Sequence, residues 1–189
     1  MKYVISGTNR PGSRSLQLAK IVQELYRETG EEIGLIDLCD LDYADSTGKY
    51  GDSVPPKMKA AIELIQASEG IIVVVPEYNG SYPGVLKYFI DHWKYPDTFE
   101  FRPFCLVGLG GRFGGLRPVE HLQGVFGFRN AFIYPERVFL FDAWSNLKNG
   151  ILLDGKTLDL LKLQVRGFQS FTKALVDAKL DASSRRKPI

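Results

Sequence analysis

Cysteine and histidine are scarce in this 189-residue chain, with two of each. Cys39 and Cys105 make neither a CxxC pair nor a metal-ligand spacing, so they read as structural thiols of a protein kept in a reducing cytoplasm. His92 and His121 stand in no nucleophile motif and have Asp91 and Glu120 beside them, as ordinary helix positions do; no metal site is expected. No apolar run approaches the roughly 18 residues of a membrane span. The N-terminal MKYVISG enters a strand directly, without the charged and apolar regions of a signal peptide. An excess of either charge is also missing, since 24 basic and 22 acidic residues leave a net charge of +2. That balance offers no global attraction to nucleic acid or membrane surfaces, and it lacks the acidity by which a small electron carrier meets its partners.

What is present is a globular composition. With 44% hydrophobic and 24% charged residues, the chain is expected to form a single domain over residues 1–180, followed by a basic, disordered tail over 181–189. Strand and helix patterns alternate without a repeat. Strands are expected near Lys2–Ser6, Glu32–Asp37, Gly70–Val75, Phe104–Leu109 and Ala131–Leu140, the last broken or shifted by Pro135. Helices are expected near Ser13–Thr29, Pro56–Ala67, Gly84–His92, Gly115–Phe126 and Thr157–Leu180. Ile71 to Val75 is a continuous β-branched run, the pattern of a parallel strand covered on both faces. The order β, α, β, α predicts an α/β fold, a doubly wound parallel sheet of five strands with helices on both faces.

Three loops at the carboxyl ends of these strands carry the chemistry, because open α/β sheets bind ligands there. The first, SGTNRPGSRS, lies between a strand and a helix N-terminus and offers backbone N–H groups, the hydroxyls of Thr8, Ser13 and Ser15, and the charges of Arg10 and Arg14 to an anion. The Gly7 to Gly12 spacing imitates a nucleotide-triphosphate loop, but Ser13 and Arg14 stand where its Lys-Ser/Thr pair belongs. The competing reading is a plain turn with a serine N-cap. In the second loop, Pro76, Glu77, Tyr78, Asn79, Gly80, Ser81 and Tyr82 combine a stacking face, an amide and a glycine that permits close approach to a flat ring. Glu77 is expected to point away from such a ring and hold the loop. The third loop places Gly110, Gly111 and Arg112 beside the second, where they serve either the polar edge of the ring or merely a tight turn. A GxGxxG frame begun at Gly108 meets Phe113 at its last position, so a separate dinucleotide fold is not expected.

One phosphate and one planar heterocycle describe FMN. The chain resembles the NADPH-dependent FMN reductase family of flavodoxin-like oxidoreductases, which includes quinone, azo-dye and chromate reductases. The resemblance rests on Gly7, Thr8, Arg10, Ser13 and Ser15 at the phosphate loop, on PEYNGSYPG from Pro76 to Gly84 with Leu86, Lys87 and Asp91 beyond it, and on Gly110, Gly111, Arg112, Gly114 and Gly115. The tryptophan of the family pattern is displaced by His92 to Trp93. The resemblance implies a strand order of 2-1-3-4-5, FMN held by those three loops with Leu16 beside the first, and NADPH or NADH as electron donor. It further implies a small-molecule acceptor (quinone, free flavin, azo compound or metal oxyanion), no catalytic side chain besides the flavin, and a homodimer or homotetramer. The aromatic segment from Trp93 to Phe101 is expected to contribute to a subunit interface, with burial in the chain's own core as the competing explanation. A flavodoxin-type carrier and a non-catalytic FMN sensor are the alternatives.

Overall fold

A computed structural model describes residues 1–185, the side chain of Asp52 excepted. Its centre is three parallel strands with no exposed residue, β1 (Tyr3–Ser6), β3 (Ile71–Pro76) and β4 (Pro103–Leu109). Alternation sends Ile71, Val73, Phe104 and Leu106 to one face, and Ile72, Val74, Cys105 and Val107 to the other. The first face packs on α3 (Pro56–Ala67), α4 (Gly84–Asp91) and α5 (Leu116–Gly127) through Met58, Ile65, Phe89, Leu122 and Phe126. The second packs on α1 (Arg14–Glu28) and α7 (Gly155–Asp177) through Leu18, Val22, Leu161, Val165 and Phe168. Each buried Val, Ile or Phe contributes about 1.5–3 kcal/mol over its exposed state, and this double coverage is why the strands carry unbroken apolar runs. Burial also pushes the Cys105 thiol well above its usual range, with the Glu136 carboxylate adding to the effect.

The strand order is β2-β1-β3-β4-β5, with β2 at Gly34–Asp37. The chain leaves β1 towards β2 and returns on the far side of β1 to form β3. The carboxyl ends of β1 and β3 therefore border a switch point, the place where ligands enter such sheets. The expected fifth strand is two strands, β5 (Phe132–Ile133) and β6 (Val138–Leu140), each parallel to β4 and separated by residues around Pro135, which has no N–H for the ladder. A 3-10 turn at Leu38–Asp40 and the short α2 (Tyr43–Ser46) join β2 to α3. After β6 the chain forms α6 (Ala143–Asn146) and an unforeseen hairpin, β7 (Leu147–Lys148) with β8 (Ile151–Leu152).

Two further expectations are corrected. Trp93 and Phe99 are only 4% and 7% exposed, and the Trp93 ring packs beside the stacked Phe104 and Phe126 rings at centroid distances of 6.2 and 6.0 Å. Of the segment offered as an interface, these two rings are core. Residues 182–185 of the expected disordered tail form α8 (Ala182–Arg185), whose first amides are capped by the Asp181 carboxylate and whose Arg185 lies over the Phe101 ring. Arg186 and Lys187, the other two basic residues of that tail, lie outside the described residues.

The N-terminus of α7 gives a first test. Asp154 accepts from the amides of Lys156 and Thr157 and from the Thr157 hydroxyl at 2.6 Å, and that hydroxyl bond holds its carboxyl below the usual range. Asp154→Ala is expected to lower stability by about 1 kcal/mol in urea melts. Because the folded pKa is depressed, the difference should be full at neutral pH and vanish as pH falls through the folded value.

Candidate functional site

The first loop is held against β3 by the Gly7 amide, which donates to the Val74 carbonyl at 2.9 Å. A Cβ on Gly7 would stand 2.9 Å from that same oxygen, so no other residue allows the approach. Thr8 is buried, with its hydroxyl donating to the Tyr78 hydroxyl at 3.1 Å and accepting from the Arg10 amide at 3.4 Å. Ser13 caps α1 by accepting from the Leu16 amide at 3.1 Å, so both predicted residues are committed to the helix end. The Arg14 and Ser15 amides belong to the first helical turn, which has no internal acceptor, and they find none among the described residues. Ser15 is 2% exposed yet lines a cavity, and beside it Arg14 Nε is buried without a partner among the described residues.

The second loop is a tight turn gripped by α5. Asn79 and Gly80 have φ of 51° and 78°, and Tyr78 and Ser81 exchange both backbone hydrogen bonds at 2.8 and 3.1 Å. Two consecutive positive φ values are the geometry that Asn-Gly adopts readily. Glu77 donates its amide to the Leu109 carbonyl and pairs its carboxylate with Arg117 at 2.7 Å. One helical turn further along α5, His121 Nδ1 lies 2.8 Å from the Ser81 hydroxyl and its ring meets Tyr82 edge-on. Glu77 thus braces the loop, and so does Ser81.

The third loop is locked to the chain following β6. Gly110 donates to the Leu140 carbonyl at 3.2 Å and accepts from the Ala143 amide at 2.9 Å, while the Gly111 carbonyl accepts from Asp142. A Cβ on Gly111 would meet the Trp144 ring at 2.8 Å. Arg112 is exposed, with its guanidinium against the Phe113 ring.

These loops enclose a cavity of about 430 Å³, within the range of cofactor sites. Of the predicted residues, Arg10, Ser13, Arg14, Ser15, Pro76, Glu77, Tyr78 and Gly110 line it. Thr8, Leu16, Asn79, Gly80, Ser81, Tyr82, Gly111 and Arg112 do not; they form the supports behind the wall or the rim beside it. Among the lining residues that the sequence reading missed are Gln17 of α1 and, from the chain after β6, Ala143, Trp144, Leu147, Lys148 and Asn149. Asn149-Gly150 between Leu147 and Ile151 was the available signal, an Asn-Gly turn flanked by apolar residues. The cavity therefore brings together two unpartnered first-turn amides, Ser15, the side chains of Arg10 and Arg14 and the rings of Tyr78 and Trp144, with the Arg14 guanidinium 6.0 Å from the centre of the Trp144 ring. That donor set fits a phosphate monoester attached to a planar ring. Among the described residues no cluster of side chains could hold a metal ion, and no helix is long and apolar enough to cross a membrane.

Known proteins are similar to this chain. Quinone reductase of Escherichia coli is 28% identical over 172 residues, covering 87% of this chain and 91% of that protein. NAD(P)H:quinone oxidoreductase of Solanum tuberosum is 29% identical over 179 residues, covering 90% and 92%. Among solved structures, the flavoenzyme NAD(P)H:(acceptor) oxidoreductase FerB of Paracoccus denitrificans superposes with a TM-score of 0.71 at 24% identity, covering 92% of this chain and 97% of that one, a likeness of fold. Residues 3–146, which contain all three loops, match the model of NADPH-dependent FMN reductases, and the chain belongs to that family.

Proposed function

We propose that the protein is an FMN-dependent oxidoreductase that draws electrons from NADPH or NADH and delivers them to small acceptors, quinones and azo compounds foremost. Free flavin and metal oxyanions such as chromate are further acceptors to assay. The observation that carries the reading is the pair of unpartnered first-turn amides beside the buried, unpartnered Arg14 Nε, on a cavity wall shared with Arg10 and Ser15. Bound FMN would supply the redox chemistry, accepting a hydride from the nicotinamide and passing two electrons on. The chain's own work is binding and placement. The α1 terminus and the two arginines hold the phosphate, the Tyr78–Ser81 turn sets the ring edge, and Arg117 and His121 keep that turn from shifting. The exposed rings of Tyr78, Phe113, Phe141 and Trp144 surround the cavity mouth and the third loop, which favours a homodimer or homotetramer that covers them. We place the whole in the cytoplasm, as a single domain over residues 1–180.

The test is the visible spectrum of the purified protein, followed by steady-state NADPH oxidation with a quinone. Flavin absorption with turnover supports the reductase; flavin with negligible turnover favours the carrier or sensor. Arg10→Ala and Ser15→Ala should each weaken FMN binding about ten-fold in titrations of the apoprotein, with circular dichroism unchanged, since each removes a bond to a charged group. Ser13→Ala is a poorer probe because it also uncaps α1.

A further inference from the structure

We propose that Lys148, carried by the β7–β8 hairpin, is a third cation for the phosphate in this cavity, and that Gln17 is the latch that delivers it. The inference rests on the flavin-phosphate reading above. A hairpin with two residues in each strand cannot hold itself in place in water, so its position is set by what it touches. Two anchors are present. Leu147 is 1% exposed and packs in the core beside α1 and α7, and Gln17 of α1 accepts from the Gly150 amide at 2.9 Å. The same Gln17 side chain donates to the Gly12 carbonyl at 3.4 Å, so one residue ties the hairpin turn to the phosphate loop.

Alternation along β7 then leaves Lys148 exposed beside the buried Leu147, and both residues border the cavity. There Lys148 joins Arg10 and Arg14. None of these three cations has an ion-pair partner among the described residues. The one carboxylate on the wall, Glu77, is already taken by Arg117. Three like charges gathered without a counter-ion repel one another until an anion arrives, and a phosphate monoester brings close to two negative charges at neutral pH. The lysine is a mobile point charge on a flexible stem, suited to closing over a group that the two guanidinium forks and the α1 amides already orient.

Titration of the apoprotein with FMN and with riboflavin, which lacks the phosphate, separates the possibilities. Lys148→Gln should weaken FMN about three- to ten-fold at low ionic strength and leave riboflavin unchanged, and added salt should close the gap. Lys148→Arg should restore most of the loss, and Gln17→Leu should reproduce it without touching a charge. A Lys148→Gln protein with the wild-type ratio of FMN to riboflavin affinity overturns the proposal. A wild-type protein that binds the two flavins equally overturns the phosphate reading itself.

Discussion

Arg102→Met is expected to destabilise the fold by about 3–5 kcal/mol while leaving the flavin site of the folded fraction intact. Arg102 is 1% exposed and sits just before β4, at the amino edge of the sheet. Its guanidinium donates to the Thr98 carbonyl at 2.7 Å, to the Gln66 carbonyl at 2.8 Å, and to both the carbonyl and the hydroxyl of Ser68. Gln66 and Ser68 belong to the last turn and cap of α3, where carbonyls have no helical partner and the dipole favours a cation. The arginine therefore satisfies acceptors on two segments far apart in sequence. Methionine fills much of the volume but leaves several buried carbonyls unpaired, at about 1–3 kcal/mol each before relaxation. Lysine should rescue only in part, because a point charge cannot reproduce the planar fork. Urea and thermal melts are the measurements, the latter with a drop in melting temperature on the order of 10 °C expected for a chain of this length. FMN affinity under native conditions should be unchanged, because the cavity lies at the opposite, carboxyl edge. A weakened flavin site in folded Arg102→Met would mean that the two edges are coupled.

Nothing in the sequence singles out Arg102, and its case shows where pattern reading ends. Strands β1, β3 and β4 were legible because burial on both faces writes an unbroken apolar run, and the strand order follows from the family resemblance. The split of the fifth strand was half legible, since Pro135 forbids a continuous ladder but does not say that both halves rejoin β4. The β7–β8 hairpin is shorter than any periodicity window, so only its Asn-Gly turn could have betrayed it. For Trp93 and Phe99, aromatic density was the wrong cue. Trp93 follows Leu86, Phe89 and Ile90 at helical intervals, all three of them core residues, and that spacing points inward.

The candidate site divides along the same line. The three loops could be found from residue types and from their place after strands. Which atoms remain free could not, because that depends on caps and turns: Ser13 spends its oxygen on the Leu16 amide, while the buried Arg14 Nε, one residue on, has no partner among the described residues. Asn79 and Gly80 read as ring contacts from their types alone, and the turn they build, which presents Tyr78, was not legible.

Gly80→Val is accordingly expected to abolish flavin retention and NADPH oxidation together, with the sheet intact by circular dichroism. Space is not the obstacle. A Cβ at Gly80 would come no closer than 3.9 Å to its nearest neighbour, the Arg117 side chain. The obstacle is the φ of 78°, where a β-branched residue is a strained outlier costing about 1–3 kcal/mol. The cheapest escape is for the turn to open. Opening breaks the paired Tyr78–Ser81 hydrogen bonds, pulls Ser81 from His121 and draws the Tyr78 hydroxyl away from Thr8, so the wall between the first and second loops loses its alignment. An FMN affinity at least ten-fold weaker should follow if even one charge-assisted contact is lost with that alignment. Gly80→Asn supplies the discriminating control, since asparagine tolerates the left-handed region and should keep most of the binding. Asp91→Asn, which removes only an exposed pair with Lys87, should change neither measurement. If Gly80→Val bound FMN like wild type and turned over at full rate, the turn at 78–81 would not set the ring site, and the reductase reading would rest on the phosphate end alone.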